Sequence, residues 1–124
     1  MNMQVQIDEP NATLYSSAIG DRDIAPCLPA FVAALPGYVV KIERLWTMKS
    51  LDPLRNVVHQ IKGVGGVYGF APLTDAARRA EQTLVDVAVA DRIPPEVEAL
   101  VQLIRRVDGY CGETEQMLAG RKQQ

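Results

Sequence analysis

Apolar residues recur along most of this chain at steps of three and four, the spacing of one face of an α-helix. No alternation of apolar and polar residues is long enough to indicate a strand. The apolar stripes run from Leu28 to Trp46, Leu54 to Tyr68, Leu73 to Val87 and Val97 to Leu118. Amphipathic helices with short connections are typical of antiparallel bundles. We therefore predict an all-α fold, an antiparallel up-down four-helix bundle with a short N-terminal helical extension.

Residues that stop or start helices separate these stripes. Pro36-Gly37 interrupts the first stripe and predicts a kink there. Asp52 is placed to cap the second helix, with Pro53 as its first residue, and Pro72 is placed to open the third. The length of 124 residues allows one domain. We predict an N-terminal tail over 1–20, the helical domain over 21–119 and a C-terminal tail over 120–124.

The charge and the few chemically active residues exclude several classes of protein. A net charge of −2 gives no general electrostatic reason to bind nucleic acid or an anionic membrane. One histidine and two distant cysteines make a structural metal site improbable, and no cofactor is predicted. The longest uncharged run, Ile24 to Val40, is too short to span a bilayer and contains three prolines. We predict a cytoplasmic protein with reduced thiols, not bound to a membrane.

Glycines are concentrated where the second helical pattern should be strongest. Val57 to Phe70 reads VVHQIKGVGGVYGF and contains four of them. Each glycine inside a helix costs about 1 kcal/mol relative to alanine, so the group costs about 3–4 kcal/mol. A helix with only a structural role would not carry that penalty without a reason.

The helical rotation of about 100° per residue places one face of this segment away from the core. Arg55, His59, Lys62, Gly63 and Gly66 share that face. It presents an imidazole, a neighbouring ammonium group and a surface almost without side chains, where another backbone can approach closely. Such a histidine can hold a phosphoryl group, with the ring nitrogen as nucleophile and the lysine offsetting the phosphate charge.

The following helix offers a partner for the imidazole. Glu81 lies on the flank of that helix, with Thr74 and Arg78 nearby. If the two helices pack side by side, Glu81 can accept a hydrogen bond from His59 Nδ1–H. That bond would fix the tautomer with the Nε2 lone pair outward and stabilise the ring as it gains positive charge.

The segment HQIKGVGGVYGF, followed by Leu73 and Glu81, resembles the histidine phosphotransfer (HPt) domains of bacterial phosphorelays. Their signature is H-x-x-K-G, small residues, a second glycine, then a leucine and an acidic or amide residue on the next helix. The resemblance spans roughly Leu28 to Leu118, and its specific part is Val58 to Leu84. Val64, Val67 and Tyr68 are bulkier than is usual, which affects partner choice and leaves the acceptor set complete.

The resemblance implies a role for each matching residue. His59 matches the phosphoacceptor, Lys62 and Gly63 the adjacent pair, and Gly69 the second glycine. Glu81 matches the glutamate that, in the HPt domains of chemotaxis kinases, bonds to the histidine. We expect the binding residues to be three glycines, Gly63, Gly66 and Gly69, together with Arg55 and Arg78.

The function implied is that of a stand-alone phosphoryl carrier without catalytic turnover of its own. It would take a phosphoryl group from the aspartate of one receiver domain and pass it to another, with a hybrid sensor kinase and response regulators as partners. Any Mg²⁺ would belong to the receiver, and we expect a monomer because no long heptad seam demands a dimer. Two alternatives stay open: a non-phosphorylated helical adaptor that blocks a receiver or kinase, and, with less support, a helical enzyme that uses His59 as a base.

Overall fold

The structure is a computed structural model that describes residues 12–86 and 92–110. Within these ranges the chain forms a 3-10 turn at Ala25–Cys27 and then four helices, and each helix packs on the next while the last returns to the first. The helices are α1 (Leu28–Thr47), α2 (Leu51–Val67), α3 (Ala71–Asp86) and α4 (Pro95–Arg105). The predicted all-α four-helix bundle with a short helical extension is confirmed.

The core is built from the apolar stripes that define the helices in the sequence. Burial of these faces removes apolar area from water, which is the main favourable contribution to folding. Phe31 and Trp46 are buried as predicted, and Tyr68 is half-buried with its ring stacked on Phe31 at 4.4 Å between centroids. The side chains with no exposure are Leu35, Ile42, Leu54, Val58, Ile61, Leu73, Ala77, Ala80, Leu84, Val97, Leu100 and Ile104.

The first helix continues through Pro36, the residue at which the sequence predicts a kink. Pro36 lies inside α1, which is continuous from Leu28 to Thr47. Leu35 and Val39 are both buried on either side of it, and this packing offsets the backbone hydrogen bond that a proline cannot donate. Together with the turn before it, α1 forms the segment Ala25–Thr47, which has a mean hydropathy of 1.5. By length and composition alone, this segment could cross a membrane. Since its apolar stripe lies in the bundle core, these properties alone do not identify a membrane span.

Two predicted helix ends differ in the structure. The expectation that Asp52 caps α2 is wrong, because Ser50 occupies the capping position without a side-chain hydrogen bond and Asp52 lies within the first turn. There the Asp52 carboxylate pairs with Arg55 instead of the free backbone N–H groups. The fourth helix ends at Arg105, well before Leu118, and Gly109 then adopts a left-handed φ of +87°. Val87, where the third predicted stripe ends, and Cys111 and Leu118 in the fourth predicted stripe lie outside the described residues.

Part of the predicted N-terminal tail lies along one end of the bundle. Leu14 forms a parallel bridge with Val107, with its N–H donating to the Arg106 carbonyl at 2.7 Å. Further along, the Ser16 hydroxyl donates to the Tyr68 carbonyl at 2.6 Å. We call residues 12–18 the N-terminal strap, because it joins the end of α2 to the end of α4.

Candidate functional site

The only histidine of the chain projects from the middle of α2 toward solvent. The side chain of His59 is 61% exposed, while Val58 and Ile61 beside it in sequence are fully buried. This division follows from the helical rotation, which turns His59 away from the core stripe. A ring in this position is open to a macromolecular partner.

One carboxylate on α3 contacts two polar side chains of this face. Glu81 Oε2 lies 2.8 Å from His59 Nδ1, and Glu81 Oε1 lies 2.7 Å from Lys62 Nζ. Glu81 is 24% exposed, so it is considerably more protected from water than the imidazole. The helix pairing that the sequence analysis required for this contact is therefore present. We call His59, Lys62 and Glu81 the imidazole cluster.

The electrostatics of the cluster determine which nitrogen of His59 carries the proton. The hydrogen bond from Lys62 lowers the pKa of Glu81, burial opposes this shift, and the hydrogen bond from His59 lowers the pKa further. An ionised carboxylate can only accept hydrogen bonds, so Nδ1 carries the hydrogen and donates it. In the neutral ring the Nε2 lone pair is then free, and no described residue bonds to that atom.

Removing the ammonium partner should raise the pKa of Glu81 toward its ordinary value of 4.5. In the intact protein the pKa of the Glu81 carboxyl is lower in the folded than in the unfolded state. Its contribution to stability is therefore fully present above the unfolded pKa and is lost as the pH falls through the lowered, folded pKa. A carbon-13 NMR titration of the Glu81 carboxyl in Lys62→Met should therefore show a midpoint at higher pH than in the unmodified protein. An unchanged midpoint would contradict the dominant role of Lys62.

The glycines of α2 occupy two different environments. A Cβ added to Gly63 would meet no atom within 4 Å, and one added to Gly66 would meet only the Thr74 hydroxyl at 3.3 Å. Both residues are exposed, so the surface beside His59 is nearly bare backbone. Gly65 is buried, and its Cβ would lie 3.0 Å from the Thr74 hydroxyl and 3.1 Å from Leu73 Cβ. Gly65 thus allows α3 to approach α2 closely.

Gly69 has a conformational reason to be glycine. Its φ of +83° is left-handed, and its N–H donates to the Gly66 carbonyl at 3.1 Å while the Phe70 N–H donates to the Gly65 carbonyl at 2.8 Å. This pair of bonds is the Schellman motif that ends many helices. The structure thus gives Gly69 a role in ending α2, and its binding role stays a prediction.

The two candidate arginines are engaged with neighbouring groups. Arg55 donates to the Leu84 carbonyl at 3.1 Å and pairs with Asp52, so it links the first turn of α2 to the last described turn of α3. Arg78 pairs with Asp75 on its own helix and forms no hydrogen bond or ion pair with the described residues of the imidazole cluster. Their predicted binding roles stay predictions.

Two hydroxyl contacts near the site were not predicted from the sequence. The Ser16 hydroxyl reaches the end of α2 from the N-terminal strap, and no periodicity in that strap indicated it. The Thr74 hydroxyl donates to the Lys62 carbonyl at 3.0 Å. A threonine on the face of α3 that carries Glu81, opposite paired glycines, was the available signal. Among residues 12–86 and 92–110, no three metal-ligating side chains converge.

Comparison with known proteins connects this geometry to a family. The family model of the Hpt domain matches residues 28–123, which includes all four helices and the whole imidazole cluster. Neither the comparison with curated proteins nor the comparison with solved structures gave a match. The match covers well over half of the chain and agrees with the four-helix architecture, and the chain therefore belongs to the Hpt domain family of phosphorelay proteins.

Proposed function

We propose that His59 accepts a phosphoryl group from the aspartyl phosphate of one receiver domain and passes it to the aspartate of another. Hpt domains act in phosphorelays as phosphocarriers, so the family supplies the general role and the proposal assigns the atoms. The observation that carries it is the 2.8 Å contact between His59 Nδ1 and Glu81 on an imidazole side chain that is 61% exposed, since this contact leaves the Nε2 lone pair available.

The transfer is a displacement at phosphorus in each direction. His59 Nε2 attacks the phosphorus of the acyl phosphate, the N–P bond forms, and the P–O bond to the aspartate breaks as its carboxylate leaves. The ring keeps its Nδ1 hydrogen and becomes positively charged, and the Glu81 carboxylate stabilises that charge. In the second step an aspartate oxygen of the other receiver attacks phosphorus, the N–P bond breaks, and the neutral ring returns.

Lys62 supports both the resting and the phosphorylated state. Its ammonium group has three hydrogens, and the contact with Glu81 at 2.7 Å uses one of them. The other hydrogens are available to the phosphoryl oxygens, whose charge they would offset. In the resting protein the lysine also keeps Glu81 ionised, so that Glu81 can hold the Nδ1 hydrogen.

Radioactive phosphotransfer tests the proposal. Receiver domains encoded in the source genome would be phosphorylated with labelled acetyl phosphate and Mg²⁺ and then mixed with the protein. The expected result is label on this chain that is labile to acid and stable to base, as phosphohistidine is. Absence of label from every donor would contradict the proposal, and tight binding to a receiver without label would favour the adaptor function instead.

We also propose that the protein is a cytoplasmic monomer whose donor is the receiver domain of a hybrid sensor kinase and which has no turnover of its own. The family supports the interaction with receiver domains, and the exposed thiol of Cys27 suits a reducing compartment. Light scattering on the purified protein should give the mass of one chain. A dimer mass that persists on dilution would contradict the monomer.

Glu81→Ala should slow transfer about tenfold or more, because a hydrogen bond to a charged group contributes about 1.5–3 kcal/mol. Single-turnover transfer from a phosphorylated receiver measures the rate. Gln82→Ala changes the next, exposed residue of α3 and serves as the matched control. Equal rates for the two variants would remove Glu81 from the mechanism.

A bulky residue in the bare surface beside His59 should block the receiver without harming the fold. Gly63→Trp is the cleanest such change, because a Cβ added at Gly63 meets no other atom within 4 Å, whereas a Cβ added at Gly66 would also press on the Thr74 hydroxyl. We expect receiver affinity to fall about tenfold or more, while the free energy of unfolding stays equal or rises by up to about 1 kcal/mol because a helical glycine is lost. Calorimetric titration and urea unfolding measure the two effects.

Gly37→Trp is the control for that experiment. Gly37 is also exposed within a helix and also has nothing within 4 Å of its added Cβ, but it lies on α1. Equal affinity loss in both variants would show that the glycines of α2 do not mark the docking surface.

A further inference from the structure

A threonine on α3 makes a side-chain hydrogen bond to the backbone of α2. The Thr74 hydroxyl donates to the Lys62 carbonyl at 3.0 Å, in a half-buried position. Lys62 lies inside α2, where a regular helix already supplies its carbonyl with the N–H four residues later. The Thr74 bond is therefore additional to the secondary structure, and it fixes the position of α3 along the axis of α2 at this point.

Two glycines provide the space for this bond. Cβ atoms added to Gly65 and Gly66 would lie 3.0 Å and 3.3 Å from the Thr74 hydroxyl oxygen, both closer than ordinary van der Waals contact. The added Cβ of Gly65 would also lie 3.2 Å from the Thr74 backbone nitrogen, so an alanine there presses on the helix itself. Gly65 and Gly66 therefore serve the packing of α3 on α2, whereas Gly63 lies at the open surface.

The same face of α3 carries Glu81. Thr74 and Glu81 are seven residues apart, which is almost two full turns and about 10 Å along the helix. The partners on α2 run in the opposite direction, since Thr74 bonds to Lys62 and Glu81 reaches His59. If the Thr74 bond fixes the axial position of α3 on α2, it also determines where the Glu81 carboxylate lies relative to the imidazole.

We propose that Thr74 is a positioning residue that sets the register of α2 and α3 and thereby holds Glu81 on His59 Nδ1. Glu81 bridges two donors at 2.8 Å and 2.7 Å, and hydrogen bonds weaken when such distances grow by a few tenths of an ångström. Without the Thr74 bond the helices can slide, and His59 reverts toward the Nε2–H tautomer that neutral histidine prefers in water. That tautomer has no lone pair on the nitrogen that faces the partner.

Nitrogen-15 NMR of the imidazole tests the proposal in the unphosphorylated protein. The chain has one histidine, so its two ring nitrogens are the only imidazole signals. At a pH high enough for the ring to be neutral, we expect mainly the Nδ1–H tautomer in the unmodified protein and in Thr74→Ser. In Thr74→Val we expect a shift toward the Nε2–H tautomer. An unchanged tautomer ratio in folded Thr74→Val would overturn the proposal.

Matched variants separate this role from general packing. Thr47→Val makes the same change on α1, where the hydroxyl bonds within its own helix to the Glu43 carbonyl, and it should leave the tautomer unchanged. Gly65→Ala displaces α3 from the other side and should shift the tautomer as Thr74→Val does, which keeps the test decisive if the valine variant does not fold. A shift in Thr47→Val as large as in Thr74→Val would also overturn the proposal.

The consequence for phosphotransfer rests on the proposed carrier function, whereas the tautomer measurement does not. Thr74→Val should slow transfer about three- to tenfold, the effect expected from a weakened hydrogen bond at the reacting ring. In a Glu81→Ala background the same change should have no further effect, because Thr74 acts through Glu81. Independent, multiplying effects of the two changes would contradict the positioning role. If no receiver labels the protein, the carrier function fails and the NMR result still decides the role of Thr74.

Discussion

His59→Gln is expected to reduce acid-labile labelling by a phosphorylated receiver to background. Glutamine keeps a polar side chain that can hydrogen-bond to Glu81, but its amide nitrogen has no available lone pair and does not attack phosphorus. The only imidazole of the chain is lost, and no second histidine can replace it. The effect is therefore the largest that any single substitution should have on transfer.

The fold should survive this change. The His59 side chain is 61% exposed, and substitutions at such surface positions usually alter the free energy of unfolding by no more than about 0.5 kcal/mol. Urea unfolding of His59→Gln and of Gln60→Ala, its exposed neighbour on α2, should agree within that range. Label that persists in His59→Gln at the level of Gln60→Ala would place the acceptor on another residue and contradict the proposed chemistry.

The same variant separates the carrier from the adaptor function. His59→Gln leaves the open surface at Gly63 intact, so it should still bind a receiver domain with an affinity similar to that of the unmodified protein. If phosphoryl transfer through the relay stops when His59→Gln replaces the unmodified protein, the relay depends on the imidazole. If His59→Gln inhibits the relay as the unmodified protein does, the effect depends only on binding, which is the prediction of the adaptor hypothesis.

The fold was predictable because its information is periodic. Stripes such as Phe31, Leu35 and Val39 specify a helix and its buried face without knowledge of neighbouring helices. Helix ends were less predictable, since they depend on competing local bonds. Asp52 pairs with Arg55 instead of capping α2, and only the three-dimensional arrangement decides between these partners.

The site was predictable where residues share one helix and less so where two elements meet. The helical rotation alone puts His59, Lys62 and Gly63 on one face. The contact with Glu81 required an assumption about helix pairing, and the family resemblance supplied it. No pattern within the N-terminal strap indicated that Ser16 reaches the Tyr68 carbonyl, because such a contact between distant residues leaves no periodic trace in the sequence.

Gly69→Ala is expected to have the largest effect on stability, lowering the free energy of unfolding by about 2–4 kcal/mol. Two physical reasons add. The left-handed φ of +83° costs an alanine about 1–2 kcal/mol, and its Cβ would overlap the Ser16 hydroxyl and lie 2.6 Å from the Ala18 backbone nitrogen. The hydroxyl can rotate, but the backbone nitrogen moves only if the N-terminal strap shifts. Urea unfolding, followed by circular dichroism, measures the change.

Gly109→Ala separates the two reasons. Gly109 has nearly the same φ, +87°, but its added Cβ would only touch Val32 at 3.4 Å, an ordinary contact. This variant should therefore show the cost of backbone strain alone, about 1–2 kcal/mol. The additional loss in Gly69→Ala then measures how firmly the N-terminal strap is held against the end of α2. Because that strap also bonds to α4 through Leu14, displacing it should loosen both helix ends together. Equal costs for the two variants would mean that the strap moves aside freely and does not stabilise the end of the helix that carries His59.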